Sequence, residues 1–135
     1  MSRKQSREVA FKLLFSLAFE GTGETDIELA TQETIDEKEK IYIDTLVSAV
    51  KGNLAKIDDM ISNTAKGFSF DRIYKVDLTA LRLAVGEIIY MPETPDVVAV
   101  NEAVNLVKKY GTAASSGYVN GILASVLENK ADDGK

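Results

Sequence analysis

Residues 97–127, VVAVNEAVNLVKKYGTAASSGYVNGILASVL, constrain the fold more than any other part of the chain. Val100, Val104 and Val107 recur at three- and four-residue steps up to Gly111. Beyond a loop of small residues, Tyr118, Ile122 and Val126 run beside Val119, Leu123 and Leu127. That spacing gathers apolar side chains on one face of a 3.6-residue helix and would scatter them over both faces of a strand. Two amphipathic helices joined by a loop follow, and each needs other helices to cover its stripe.

The rest of the chain keeps the same period. Ser2 with Gln5 forms a capping box, and an uninterrupted helix is expected to about Phe19. Its core side carries Val9, Leu13 and Leu17 beside Ala10, Leu14 and Ala18, while Lys4, Glu8, Phe11, Lys12, Phe15 and Phe19 fall on the other flank. Residues 20–33 read as an acidic loop leading into a short helix near 26–32. Asp36 and Glu39 then open a helical run through Ile43, Leu46, Val47, Val50, Leu54, Ile57 and Ile61 to about Lys66. Gly52 and Asn53 can break or kink that run, since an interior glycine costs about 1 kcal/mol. A further helix, VDLTALRLAVGEIIY, is capped by Asp77, buried along Leu78, Leu81, Val85, Ile88 and Ile89, and stopped at Pro92. Asp96 caps the next. No hairpin dipeptide lies between alternating runs, so the class is all-α with six or seven helices.

The chain's 135 residues, 45% hydrophobic, suffice for one domain with a single core. Neither cysteine nor histidine occurs, which removes disulfides, the usual neutral-pH proton shuttle and nearly all zinc sites. Adjacent Asp58 and Asp59 cannot face each other on a helix, and the glycines near residue 22 lack the lysine of a phosphate loop. Catalysis is therefore not expected, and no metal or cofactor is implied. No apolar run reaches the roughly eighteen residues of a membrane span, so a soluble, cytoplasmic protein is expected. Net charge is −5, but unevenly spread: residues 1–12 hold Arg3, Lys4, Arg7 and Lys12 against Glu8, while residues 20–39 hold eight acids against Lys38. Aromatics interleaved with cations on the first helix could stack bases and meet phosphates, or close a second core contact.

Three motifs in register, VDLTALRLAVGEI, PETPDVVAVNEAVNLVKKYG and SGYVNGILASVL, together with the start SRKQSREVAFKLLFSL, resemble the NusB family of bacterial transcription antitermination factors. The resemblance implies one RNA-binding domain of two packed helical subdomains, 1–67 and 68–135, without catalysis. It implies binding to boxA RNA of nascent ribosomal transcripts together with NusE, a small-subunit ribosomal protein, within an RNA polymerase antitermination complex. Carried over by position, the RNA-facing residues are Arg3, Lys4, Arg7, Phe15, Ser115 and Tyr118. The NusE-facing acids are Asp71, Asp77 and Glu87. Some relatives carry an acid where this chain has Ala114 and a lysine where it has Gly117, so RNA affinity without a partner is expected to be weak. A homodimer stays open, as does the alternative of an all-α protein-interaction module without RNA binding. Asn101 and Asn120 are expected to bond backbone at helix junctions, and Gly121 to permit a close helix approach.

Overall fold

The computed structural model describes residues 1–19, 34–64 and 69–133. Among these, six α-helices follow in order, with no strand: α1 Arg3–Phe15, α2 Glu37–Gly52, α3 Leu54–Thr64, α4 Lys75–Tyr90, α5 Asp96–Tyr110 and α6 Ser115–Asp133. The loop and short helix expected within 20–33, and the helix end expected near Lys66, lie outside the described residues.

Helix ends follow local chemistry. The Ser2 hydroxyl accepts from the Gln5 amide at 3.1 Å and the Ser2 amide donates to Gln5 Oε1 at 2.8 Å, closing the capping box of α1. The helix expected to reach Phe19 as one piece tightens at Ser16–Phe19 into a 3-10 turn. The run that opens at Asp36 does break where Gly52 and Asn53 allow it: it is two helices, split at Asn53, whose side chain donates back to the Ala49 carbonyl at 2.8 Å. That bond offers the last turn of α2 an alternative to continuing the helix. Two expected caps sit inside their helices instead: Asp77 lies in the first turn of α4, which begins at Lys75, and Asp96 is the first residue of α5 after Pro95. An acid in a first turn still complements the helix dipole.

Helix α4 organises the molecule. Every residue from Val76 to Ile88 is buried, and α4 packs against each of the other five helices. A helix with apolar residues all round belongs inside, and the run ALRLAVGEI goes there with its two charges, Arg82 and Glu87, each paired. Leu14, Leu46, Ile57, Leu81, Val107 and Leu123, one from each helix, are all 0% exposed and belong to one continuous core. Gly86 lets α2 close on α4: a Cβ there would lie 2.5 Å from Val50 Cγ2. The spacing predicts that close approach at Gly121 instead, yet Gly121 is exposed with nothing within 4 Å of a would-be Cβ. Asn101 and Asn120 are exposed too, not buried at junctions, because each falls on the outer face of its helix. Arg82 is buried and grips Asp58 of α3 through two bonds of 2.9 Å. Among the described residues no helix is long and apolar enough to cross a membrane.

Candidate nucleic-acid interface

Helix α1 carries the expected cations, and the structure divides them. Arg7 is buried, with Nε 2.9 Å and Nη2 2.8 Å from the Glu87 carboxylate. The same carboxylate accepts from the Tyr42 hydroxyl at 2.8 Å and the Thr94 hydroxyl at 3.0 Å. Four segments thus meet on one carboxylate: α1, α2, α4 and the turn before α5. Burial pushes the Tyr42 phenol well above its ordinary range, and the adjoining carboxylate adds to that. The structure places Arg7, expected to face RNA, and Glu87, expected to face a protein partner, together in the interior, where they neutralise each other, Glu87 at 1% exposure. The physical reason is angular. Position 7 lies three and seven residues before Ala10 and Leu14, on the core side of α1.

Arg3 is less enclosed. Its guanidinium meets both oxygens of Glu39, at 2.9 and 3.1 Å, and lies 3.9 Å from the centre of the Tyr42 ring. The hydrogen bond from Arg3 holds the Glu39 carboxyl below its usual range, against the opposing effect of burial. Lys4, one residue on, is exposed.

Lys4 opens onto a cleft of about 380 Å³ between α1 and α5, lined also by Glu8, Glu102, Asn105, Leu106, Lys108 and Lys109. Lys109 Nζ lies 2.7 Å from Glu8 Oε1, the Tyr110 hydroxyl donates to the same oxygen, and Lys12 Nζ is 4.0 Å away. Burial pushes the Glu8 carboxyl up, but the bonds from Lys109 and Tyr110 prevail and hold it below the usual range. Beside the cleft, Phe11, Lys12, Phe15, Val76 and Tyr110 line an apolar hollow of about 290 Å³. Phe11 stacks on Tyr110 at 5.5 Å and is core; Phe15 is half-buried and meets Phe19 edge-on at 5.0 Å. Phe19, at the end of the 3-10 turn, is 59% exposed.

Asp77, Ser115 and Tyr118 come together although the family resemblance places them on different surfaces. Ser115 is fully buried; its hydroxyl accepts from the Thr112 amide at 3.0 Å, lies 3.2 Å from the Thr112 hydroxyl, and faces the Asp77 carboxyl. Gly111 is required by this loop, since a Cβ would lie 2.6 Å from Ser115 Oγ and 2.7 Å from the Val107 carbonyl. Asp77 is buried, and its Oδ1 has no hydrogen-bond partner among the described residues. Burial raises the Asp77 pKa, an effect only partly offset by Ser115. Tyr118 is half-buried, and its phenol is pushed up by burial first and then by the Asp77 charge. Asp71 stands apart, exposed on the 3-10 turn Phe70–Arg72. Sequence reasoning missed Glu8, Lys108, Lys109 and Tyr110 as a group. Their meeting depends on how α5 crosses α1, a relation between residues some 100 positions apart in the chain.

Residues 4–128 match the NusB family. The chain is 42% identical to the transcription antitermination protein NusB of Natranaerobius thermophilus, across 97% of this chain and 99% of that protein. It is 40% identical to the corresponding protein of Agathobacter rectalis, across 92% and 98%. Among solved structures, NusB of T. maritima superposes with a TM-score of 0.84 at 34% identity, across 95% of this chain and 92% of that one. A structure of the antitermination factors NusB and NusE in complex with dsRNA superposes with a TM-score of 0.78 at 26% identity, across 94% and 96%.

Proposed function

Because the chain belongs to the NusB family, we propose that it is a transcription antitermination factor. In this reading it binds boxA RNA of nascent ribosomal RNA transcripts together with NusE and helps RNA polymerase resist termination. The observation that carries it is the end-to-end match to proteins named for antitermination, joined to the likeness with a relative crystallised with NusE and RNA. The RNA face comprises Lys4, the outward part of Arg3, Phe15 and Tyr118, which together offer cations for phosphates and aromatic rings for bases. Arg7 and Ser115 serve that face from behind, by fixing α1 and the start of α6. Asp71 is the acid open to a protein partner, while Asp77 and Glu87 act from the interior. The role is non-catalytic and belongs in the cytoplasm, where transcripts are made.

Fluorescence anisotropy of a labelled boxA RNA, titrated with and without NusE across a salt series, tests this. Weak binding alone and tighter binding with NusE are expected. Equal affinity for a scrambled RNA in both conditions would defeat it. The withdrawal of Arg7 from solvent favours one other reading, an all-α protein-interaction module. Capture of NusE without any uptake of RNA would select that reading.

A further inference from the structure

With Arg7 enclosed by Glu87 and Arg3 engaged by Glu39, α1 alone has little cationic surface left to offer a polyanion. Lys4 and Lys12 stay exposed on α1, and further charge comes from a different helix. Lys108 and Lys109 close the last turn of α5, both exposed, and line the same cleft as Lys4 of α1. Lysines in a last turn complement the helix dipole whatever else they do. That effect does not account for a third lysine facing them from the neighbouring helix across an open cleft.

We propose that the α1–α5 cleft is a track for the phosphodiester backbone of RNA, with Lys4, Lys108 and Lys109 as its cations and Glu8 as a built-in competitor that phosphate displaces from Lys109. The inference rests on the RNA-binding reading above and adds residues to it that neither the sequence nor the family resemblance singled out. Glu8 holds Lys109 at 2.7 Å in a pair whose lysine side chain is 60% exposed. An exposed pair of this kind is weak, so a phosphate can take the glutamate's place at little cost. Glu102, on the other wall and 3.4 Å from the Asn105 amide, lowers the net charge further. Three lysines against two glutamates make a site that grips phosphate weakly, and one that a partner protein presenting the RNA would bring into use.

The test compares the parent with Glu8→Gln, with Lys108→Ala/Lys109→Ala, and with Lys51→Ala as a cation on α2 remote from the cleft. Labelled boxA RNA and a scrambled RNA of equal length are titrated with NusE present across a potassium chloride series, and NusE binding is measured separately without RNA. The double lysine variant should bind roughly tenfold more weakly, with a log–log salt slope shallower by about 1.4, or about 0.7 for each phosphate of a single strand that is no longer neutralised. Both RNAs should weaken alike, because phosphate contacts carry no sequence information. Glu8→Gln should bind about two- to fivefold more tightly, the equivalent of one exposed charge pair, and Lys51→Ala should match the parent. An unchanged salt slope in the double variant, or unchanged or weaker binding in Glu8→Gln, overturns the inference while leaving RNA binding itself intact. Loss of NusE binding with RNA affinity preserved would make the cleft a surface for an acidic protein segment and would equally overturn it. A parent that binds neither RNA fails the functional reading and this inference together.

Discussion

Arg7 and Glu8 are neighbours on α1, each in an ion pair with a residue from another helix, and the two pairs serve different ends. The Arg7–Glu87 pair is sealed in the core and satisfied by Tyr42 and Thr94. The Glu8–Lys109 pair lies at the lip of a cleft, with Lys109 largely in water. The residue chemistry is similar and the chain positions are adjacent. Burial makes the difference, because a charge removed from water must keep its partner, whereas an exposed charge can exchange one for another. The inner pair therefore positions α1 and the outer pair leaves α1 able to bind.

The largest expected effect tests the inner pair. Glu87→Ala should destabilise the protein by about 3–5 kcal/mol in urea unfolding, since it strands a buried guanidinium along with the Tyr42 and Thr94 hydroxyls. A loss below about 1 kcal/mol would show that Arg7 reaches solvent and that the contrast is false. Arg7→Ala is for the same reason a poor probe of RNA binding, because it would lower stability before it removed any phosphate interaction. Next comes Gly86→Ala, beside Glu87 on α4, where the added methyl meets Val50. Overpacking of about 1–3 kcal/mol should outweigh the gain in helix propensity, and a stability equal to the parent in the same unfolding assay would mean that α2 and α4 are free to separate.

Asp77 is an intermediate case, buried like Glu87 but incompletely satisfied. Its carboxyl titrates above the ordinary 3.8 because burial disfavours the charge. An acid raised in this way reduces stability at pH values above its folded pKa, and the penalty is relieved as the pH falls and the acid protonates. Asp77→Asn should therefore raise stability at pH 7, with the advantage shrinking toward about pH 4. Thermal melts of both proteins across that range check it; a variant less stable than the parent at neutral pH would show the charge to be favourable at the start of α6. The smallest effect belongs to the outer pair. Lys109→Ala should leave stability essentially unchanged, because a pair open to water contributes little to folding, and a clear loss in urea unfolding would place Glu8 and Lys109 with the structural pairs.

Much of this architecture is legible in the chain. The helical period, the capping box at Ser2, the stop at Gly111 and the stripes of α5 and α6 all depend on neighbours within a few residues, and the structure follows them. The break at Asn53 is foreshadowed by Gly52 but decided by a side chain bonding its own helix. Site residues are harder to read. The angular position of Arg7 beside Ala10 and Leu14 indicates an inward side chain, yet its charge suggests an outward one. Ser115 looks like a free hydroxyl at a helix start, but the tight loop at Gly111 turns it inward onto Thr112 and Asp77.

By itself, then, the sequence determined the helices, their apolar faces and the family, because these follow from local spacing and motif order. Tertiary structure alone decided which charges are available. Arg7 is neutralised by a residue 80 positions away, Glu8 is paired with one 101 positions away, and Lys4 is brought opposite Lys108 and Lys109. Whether a charge supports the fold or meets a ligand depends on the water around it, and that is settled only once the helices have packed.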